Sequence, residues 1–137
     1  MRRVFADTGY WIALLNPRDE LHLQAQQQSS AFATAEIVTS EWVLTELLNS
    51  FAERGPQLRG IVSRTVELLY ASSSVTVVPQ TPASFSAAFE LYRERSDKGW
   101  SLTDCSSFLI MRQLEIEAAL TYDKHFEQAH FQALLRI

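Results

Sequence analysis

The chain has 137 residues, 47% apolar side chains and a formal net charge of -4, a composition that is typical of a globular protein and predicts one domain over residues 1–137. Its apolar runs fall short of the roughly 18 residues that a membrane span needs, and its first residues lack a secretory signal pattern, so we expect a cytoplasmic protein without membrane contact. The single cysteine excludes a disulfide framework and a cysteine-rich zinc site. The acidic balance argues against nucleic-acid binding through bulk positive charge.

Apolar periodicity and turn residues predict short strands that alternate with helices. Ser40 and Thr81 are suitable N-caps, Pro82 suits a first helical position, and Gly55 with Pro56 predicts a break between two helices. In chain order the predicted elements are a strand at 4–6, helices at 9–15 and 20–33, a strand at 36–39, helices at 41–53 and 57–71, a strand at 74–78, helices at 82–95 and 102–114, a strand at 118–121, a short helix beginning at Lys124 and an edge strand near 131–135. Strands separated by helices imply a parallel sheet that is covered on both faces.

Four acidic side chains fall close to the ends of these predicted strands. Asp7 follows the first strand and Asp123 follows the fourth. Glu46 lies on the helix after the second strand, and Asp104 lies in the first turn of the helix that precedes the fourth. In an open parallel sheet the carboxyl ends of the strands share one edge, and ligands bind there. We therefore expect Asp7 and Asp123 to be neighbours.

Each of these acids also has a purely local explanation. Asp7 and Asp123 are suitable N-caps for the helices that follow them, and Ser101 with Asp104 matches a capping box. Glu46 falls at the flank of the buried face of its helix, which suits a metal ligand and a surface glutamate alike. Helix capping does not explain why several acids would converge, because carboxylates about 4 Å apart repel by roughly 4 kcal/mol per pair near a protein surface. Such a cluster requires protons or a divalent cation. Oxygen ligands favour Mg²⁺ or Mn²⁺ over zinc.

The sequence around the four acids resembles a known family. The acidic motifs of the PIN domain, the nuclease fold of the toxins in VapBC toxin-antitoxin modules, are similar to the segments FADTGYW, TSEWVLTELLN, WSLTDCSSF and ALTYDKHF. The resemblance implies a three-layer α/β/α sandwich with a central parallel sheet of four or five short strands. It also implies an endoribonuclease that uses one or two Mg²⁺ or Mn²⁺ ions and a metal-activated water to cut single-stranded RNA. The implied catalytic metal ligands are Asp7, Glu46, Asp104 and Asp123.

Several neighbours of these acids have predicted secondary roles. The hydroxyls of Thr8 and Thr103 are expected to hydrogen-bond a ligand carboxylate or the scissile phosphate, with local capping as the alternative. Lys124 and His125 lie at the predicted rim, where contact with RNA phosphate and plain exposure both stay open. Among the aromatic residues, Trp100 is the candidate for stacking on an RNA base, with core packing as the alternative.

The expected partners are single-stranded or structured RNA and, for a toxin, a small antitoxin protein that binds over the acidic edge. The TDCSSF context is similar to a PIN subgroup of predicted nucleic-acid-binding proteins, so the nuclease role is implied more directly than the toxin role. Homodimers are common in the family, and the apolar helix positions of this chain permit one. Two other functions stay open: a non-catalytic PIN-like module that binds RNA or a partner, and an aspartic protease, whose half-site Asp7-Thr8-Gly9 matches. Helical periodicity and the low glycine content argue against the protease.

Overall fold

The computed structural model describes residues 2–136, and its five strands form one parallel sheet flanked by helices. The elements in chain order are β1 (Arg3–Ala6), α1 (Thr8–Leu15), α2 (His22–Ala31), β2 (Glu36–Ser40), α3 (Glu41–Ser50), α4 (Pro56–Ala71), β3 (Val75–Val78), α5 (Pro82–Glu94), α6 (Leu102–Gln113), β4 (Ala118–Leu120), α7 (Lys124–Gln128), β5 (Gln132–Ala133) and a 3-10 turn (Leu134–Arg136). The predicted α/β/α sandwich is confirmed. Within residues 2–136, none of the helices combines the length and the apolar character that a membrane span requires.

Predicted and observed elements differ mainly at their ends. α2 begins at His22 because the Asp19 carboxylate accepts a hydrogen bond from the Leu21 backbone N–H at 2.9 Å and forms a turn before the helix. α3 ends at Ser50, where turn hydrogen bonds replace the helical pattern. Gly55 then precedes α4 with a φ of 91°, a conformation that favours glycine. Local turn chemistry, which hydrophobic periodicity does not resolve, therefore sets the helix ends.

The order of the strands creates a crevice at the centre of the sheet. The order β3-β2-β1-β4-β5 puts β1 in the middle, and its residues Val4, Phe5 and Ala6 are fully buried, as expected for a parallel strand covered on both faces. β1 pairs with β4 in the register Phe5↔Ala119 and Ala6↔Leu120. The direction of winding reverses between these two strands, and open α/β sheets bind ligands at such a switch point.

An aromatic cluster supports two helices beneath this crevice. Phe108 of α6 packs edge-on against Phe126 of α7 and against Trp100, with ring centroids 5.0 and 4.9 Å apart. Phe5 of β1 lies 6.5 Å from Phe126. Edge-to-face pairs of this kind add about 0.5–1.5 kcal/mol each beyond the burial of their surface. The cluster therefore fixes α6 and α7 relative to the central strand.

Candidate active site

Asp7 and Thr121 lie side by side at the carboxyl ends of β1 and β4. The strand register brings them abreast, and Thr121 Oγ1 donates a hydrogen bond to Asp7 Oδ2 at 2.9 Å. The Asp7 side chain is buried and makes no cap to α1. Its burial raises the pKa of Asp7 from 3.8 to about 7, with a further rise from the charges of Asp104 and Asp123 and an opposing effect from hydrogen bonds. Near neutral pH this carboxylate therefore favours a proton or a cation beside it.

His125 holds a second pair of acids together. Its Nδ1 lies 3.0 Å from Asp104 Oδ2 and 3.1 Å from Asp123 Oδ1. Asp104 Oδ2 also accepts the Ser101 backbone N–H at 3.0 Å, which completes the predicted capping box of α6, and Asp123 Oδ1 accepts the His125 backbone N–H at 2.9 Å at the start of α7. Burial raises the pKa of Asp104. Helix capping and assembly of the acidic cluster thus use the same carboxylate oxygens.

Glu46 reaches this edge of the sheet from α3. Its half-buried side chain accepts a hydrogen bond from Thr8 Oγ1 at 2.7 Å, which links the first residue of α1 to the middle of α3. Trp42 and Val43 on the same helix are buried, so Glu46 occupies the flank of the buried face that its helical position predicts.

All four acids line one open cleft at the switch point. The other lining residues are Thr8, Gly9, Gly99, Ser101, Thr121, Tyr122 and His125. Within the described residues, hydrogen bonds engage Oε1 of Glu46, Oδ2 of Asp104 and Oδ1 of Asp123, and the second oxygen of each carboxylate has no hydrogen-bond partner. Ligand atoms of Asp104, Asp123 and His125 lie within 4.8 Å of one another. The cleft therefore contains an acidic cluster that could hold a divalent metal ion.

The chain is similar to known proteins over nearly its whole length. A family model described as the PIN domain matches residues 4–132. The chain belongs to the PIN domain family. The 23S rRNA-specific endonuclease VapC20 of Mycobacterium tuberculosis is 27% identical over 128 residues, which cover 93% of this chain and 95% of VapC20.

Solved structures agree with this membership. The crystal structure of Mycobacterium tuberculosis VapC20, described as a sarcin-ricin loop cleaving toxin, matches this PIN domain with a TM-score of 0.81 and 29% identity, over 93% of this chain and 95% of that one. FitAcB from Neisseria gonorrhoeae matches with a TM-score of 0.65 and 16% identity over 95% and 94% of the two chains, and this likeness concerns the fold alone.

Family membership and the fold bear on two of the functions that the residues left open. The predicted nuclease class is confirmed, since PIN domains are nucleases and VapC20 is an endonuclease. The aspartic protease interpretation is wrong, because that class is built almost wholly from strands, whereas this PIN domain has a parallel sheet between helices.

Three predicted residues of the PIN site do not take the positions expected of them. Thr103 does not line the cleft, although its neighbour Asp104 does, and Lys124 is exposed on α7 outside the lining. Base stacking by Trp100 is corrected to core packing. Trp100 is only 4% exposed, its Nε1 donates to Gln128 Oε1 at 3.0 Å, and the Arg95 guanidinium covers its ring at 5.1 Å. These contacts leave almost none of the indole surface open to a nucleobase.

Three other residues contribute to the cleft in ways that the sequence does not reveal. Thr121 contacts Asp7 through the strand register, and the Thr-x-Asp spacing before Asp123 is its one local signal. His125 is the second residue of the helix that Asp123 caps, so its ring folds back onto the acids instead of pointing away from the rim. Tyr122 is half exposed and lines the cleft from the turn that follows β4.

Proposed function

We propose that this PIN domain is a divalent-metal-dependent endoribonuclease that hydrolyses single-stranded RNA and leaves 5′-phosphate and 3′-hydroxyl ends. The observation that carries the proposal is the convergence of Asp7, Glu46, Asp104 and Asp123 in one cleft of a PIN fold. A phosphodiester is anionic, so a bare acidic cleft repels it. A cation held by the carboxylates reverses the local field and makes the same cleft attractive to RNA.

The chemistry of the donor set fits Mg²⁺ or Mn²⁺. Carboxylate oxygens dominate the set, and the His125 imidazole beside them is a nitrogen donor that Mn²⁺ tolerates better than Mg²⁺ does. We assign one or two ions to the four acids. When bound, such an ion supplies positive charge that draws in the phosphate and activates water for attack on phosphorus. The raised pKa of Asp7 supports this assignment, because a carboxylate that resists bare negative charge is stabilised by a neighbouring cation.

The side chains around the acids are assigned positioning roles. Thr121 directs one oxygen of Asp7, and Thr8 directs one oxygen of Glu46, each through a short hydrogen bond. His125 keeps the carboxylates of Asp104 and Asp123 at a fixed separation. Because the acids are anchored before any ion arrives, little conformational entropy remains to be lost on binding it.

A basic pocket beside the cleft supports an RNA substrate. Gly99 and Ser101 line both the cleft and this pocket, so the two are continuous. The rest of its lining is Tyr92, whose ring is exposed, with Arg93, Arg95, Ser96, Lys98 and Trp100. Arg93 is paired with Glu90 and Arg95 with Asp97, each at 3.0 Å. Positive charge along a groove follows a nucleic-acid backbone. We assign the pocket to phosphates of the RNA strand as it runs out of the cleft.

VapC20 guides the more specific part of the proposal. That relative is named for cleavage of 23S rRNA, and its structure is described as that of a sarcin-ricin loop cleaving toxin. We therefore assign to this chain a structured RNA with an exposed loop as substrate, and a toxin role with a small antitoxin protein that covers the cleft. A cationic side chain of that protein, inserted among the acids, would compete with the metal ion for the same carboxylates.

The decisive experiment is cleavage of labelled RNA by the purified protein in Mn²⁺, Mg²⁺ and EDTA. The probes are a synthetic hairpin with the sarcin-ricin loop and a pool of randomised single strands. We expect cleavage with either ion, none in EDTA, and loss of cleavage in Asp7→Asn and Glu46→Gln with an unchanged circular dichroism spectrum. Glu67→Gln, at an exposed position of α4, is the matched control.

Two results would contradict the proposal. RNA that is bound equally well in EDTA and never cut would indicate a non-catalytic binding module instead. Equal cleavage by Asp7→Asn and the wild-type protein would remove Asp7 from the mechanism.

A further inference from the structure

The acid cleft has an aromatic side chain at its mouth. Tyr122 is 50% exposed and lines the cleft together with the acids. Other exposed aromatic rings within residues 2–136, such as Tyr70 on α4 and Phe89 on α5, lie outside the cleft lining. A half-exposed ring is common on protein surfaces, so its exposure alone assigns it nothing. Its position relative to the acids and to Arg136 is the informative observation.

The backbone of Tyr122 is fixed from both sides. Thr121 before it is buried and donates to Asp7 Oδ2, and the Asp123 backbone N–H after it donates to Thr121 Oγ1 at 3.0 Å. This hydrogen-bonded turn leaves Tyr122 as the one residue of the three whose side chain is exposed. The ring therefore stands at a set place beside the carboxylates.

Arg136 supports the ring from behind. Its guanidinium lies 4.9 Å from the ring centroid of Tyr122, and its Nη1 donates to the Tyr122 carbonyl at 2.9 Å. Glu127 holds the same guanidinium through an ion pair of 2.9 Å to Nε. A cation on one face of the ring makes that side a closed contact. A planar ligand can then stack on the ring's remaining exposed surface without first ordering a mobile side chain.

We propose that Tyr122 is the stacking platform for a nucleobase beside the scissile phosphate, an inference that rests on the proposed ribonuclease function. The phosphate has to approach the acids, so a base attached to a neighbouring ribose lies within reach of the cleft mouth. Unpaired bases splayed from a single strand stack on aromatic rings whatever their identity, because every base has a π face. The geometry therefore makes Tyr122 a determinant of single-strand selectivity that tolerates different sequences. Duplex RNA, whose bases are already stacked, gains nothing from it.

The experiment compares Tyr122→Ala with Tyr122→Phe and Tyr122→Trp in cleavage of the randomised single strands and the loop hairpin in Mn²⁺. Loss of one stack weakens binding by about 10-fold as an order of magnitude, so we expect KM to rise about 10-fold in Tyr122→Ala. The Phe and Trp variants should stay close to wild type, because they keep an aromatic face. Tyr70→Ala removes a comparably exposed tyrosine, 53% exposed, and should leave KM unchanged.

A second arm places a single abasic nucleotide at each position around the cut site. In the wild-type protein, one abasic position should raise KM about as much as Tyr122→Ala does with intact RNA. With Tyr122→Ala, an abasic nucleotide at that position should raise KM no further, since the two changes remove the same interaction. Tyr122→Leu keeps apolar bulk without an aromatic face, so it tests stacking even where Tyr122→Ala unfolds.

Three outcomes would overturn the inference. An unchanged KM in Tyr122→Ala would show that no base stacks on this ring. So would abasic effects on KM that add to the effect of Tyr122→Ala at every position. An equal loss in Tyr122→Phe would assign the effect to the hydroxyl. In each of these cases wild-type cleavage persists and the ribonuclease function stands, whereas a wild-type protein that cuts neither probe would refute both.

Discussion

Asp7→Asn is expected to stabilise the metal-free protein at high pH, because it removes a carboxylate that burial disfavours. The pKa of Asp7 is raised from 3.8 to about 7. Between these two values the folded protein holds a proton that the unfolded chain has released. The contribution of Asp7 to the free energy of unfolding therefore falls as the pH rises from about 4 to about 7 and is level above that range.

The size of the effect follows from the same pKa values. At about 1.4 kcal/mol per pKa unit, the rise corresponds to an upper limit of about 4 kcal/mol. Asparagine reproduces the neutral form at every pH, and its side-chain oxygen can still accept the hydrogen bond of Thr121. In EDTA, Asp7→Asn should thus exceed the wild type in free energy of unfolding by up to about 4 kcal/mol at about pH 8, and the two should converge near pH 4.

The assay is urea unfolding across this pH range in EDTA, followed by the fluorescence of the buried residues Trp11, Trp42 and Trp100. Asp97→Asn is the matched control, because it removes the same charge from an exposed carboxylate whose pKa the Arg95 hydrogen bond lowers, and it should give no gain at high pH. Adding Mn²⁺ at high pH should stabilise the wild type more than Asp7→Asn. Parallel pH profiles for the two proteins in EDTA would refute the reasoning.

Three further substitutions test individual contacts of the site. Thr121→Val removes the donor to Asp7 and the acceptor of the Asp123 backbone N–H, so it should lower the free energy of unfolding in urea by about 1–3 kcal/mol. It should also move Mn²⁺ binding to higher pH, because the Thr121 hydrogen bond holds the pKa of Asp7 down and its loss raises that pKa. Thr121→Ser should behave like the wild type, and an equal loss in both variants would contradict this role. His125→Ala should weaken Mn²⁺ binding by about 10–100-fold in calorimetry, whereas His125→Asn, whose amide can occupy the position of Nδ1, should retain most of it. Lys98→Ala should lower RNA affinity and reduce the slope of log affinity against log salt concentration by about 0.7. An equal loss of affinity in Lys124→Ala, whose side chain lies outside both the cleft and the basic pocket, would argue against a role for the pocket.

The positions of the acids follow from the sequence because they depend on topology more than on detail. Parallel strands bring their carboxyl ends to one edge, so Asp7 and Asp123 can be placed near each other without coordinates. The local explanations for Asp104 and Asp123 also hold, since both carboxylates cap helices and face the cleft with the same side chains. For Asp104 and Asp123, helix capping and a place in the acidic cluster are therefore compatible and do not exclude each other.

The contacts of Thr121 and His125 and the exposure of two aromatic rings depend on strand register and side-chain direction. Thr121 meets Asp7 only in the observed alignment of β1 with β4, and His125 contacts two acids because α7 starts where Asp123 caps it. Trp100 stands beside a glycine, which suggests exposure, yet the aromatic cluster of α6 and α7 buries it. Tyr122 is the converse case, an aromatic ring that the turn at the end of β4 leaves open. Neither periodicity nor composition carries this information.

The pairing of β1 with β4 also bears on when the protein becomes active during its own synthesis. Asp7 and its partner Thr121 are separated by 114 positions in the chain, so a ribosome makes the first acid long before the residues that anchor it. Contacts of such long sequence separation form late in folding. A nascent chain that has not yet extended to Ala118 lacks strand β4, Thr121 and Asp123. The cleft can therefore form only after the ribosome has made strand β4 and the residues that follow it, so synthesis of Asp7 and assembly of the acidic cluster are separated in time.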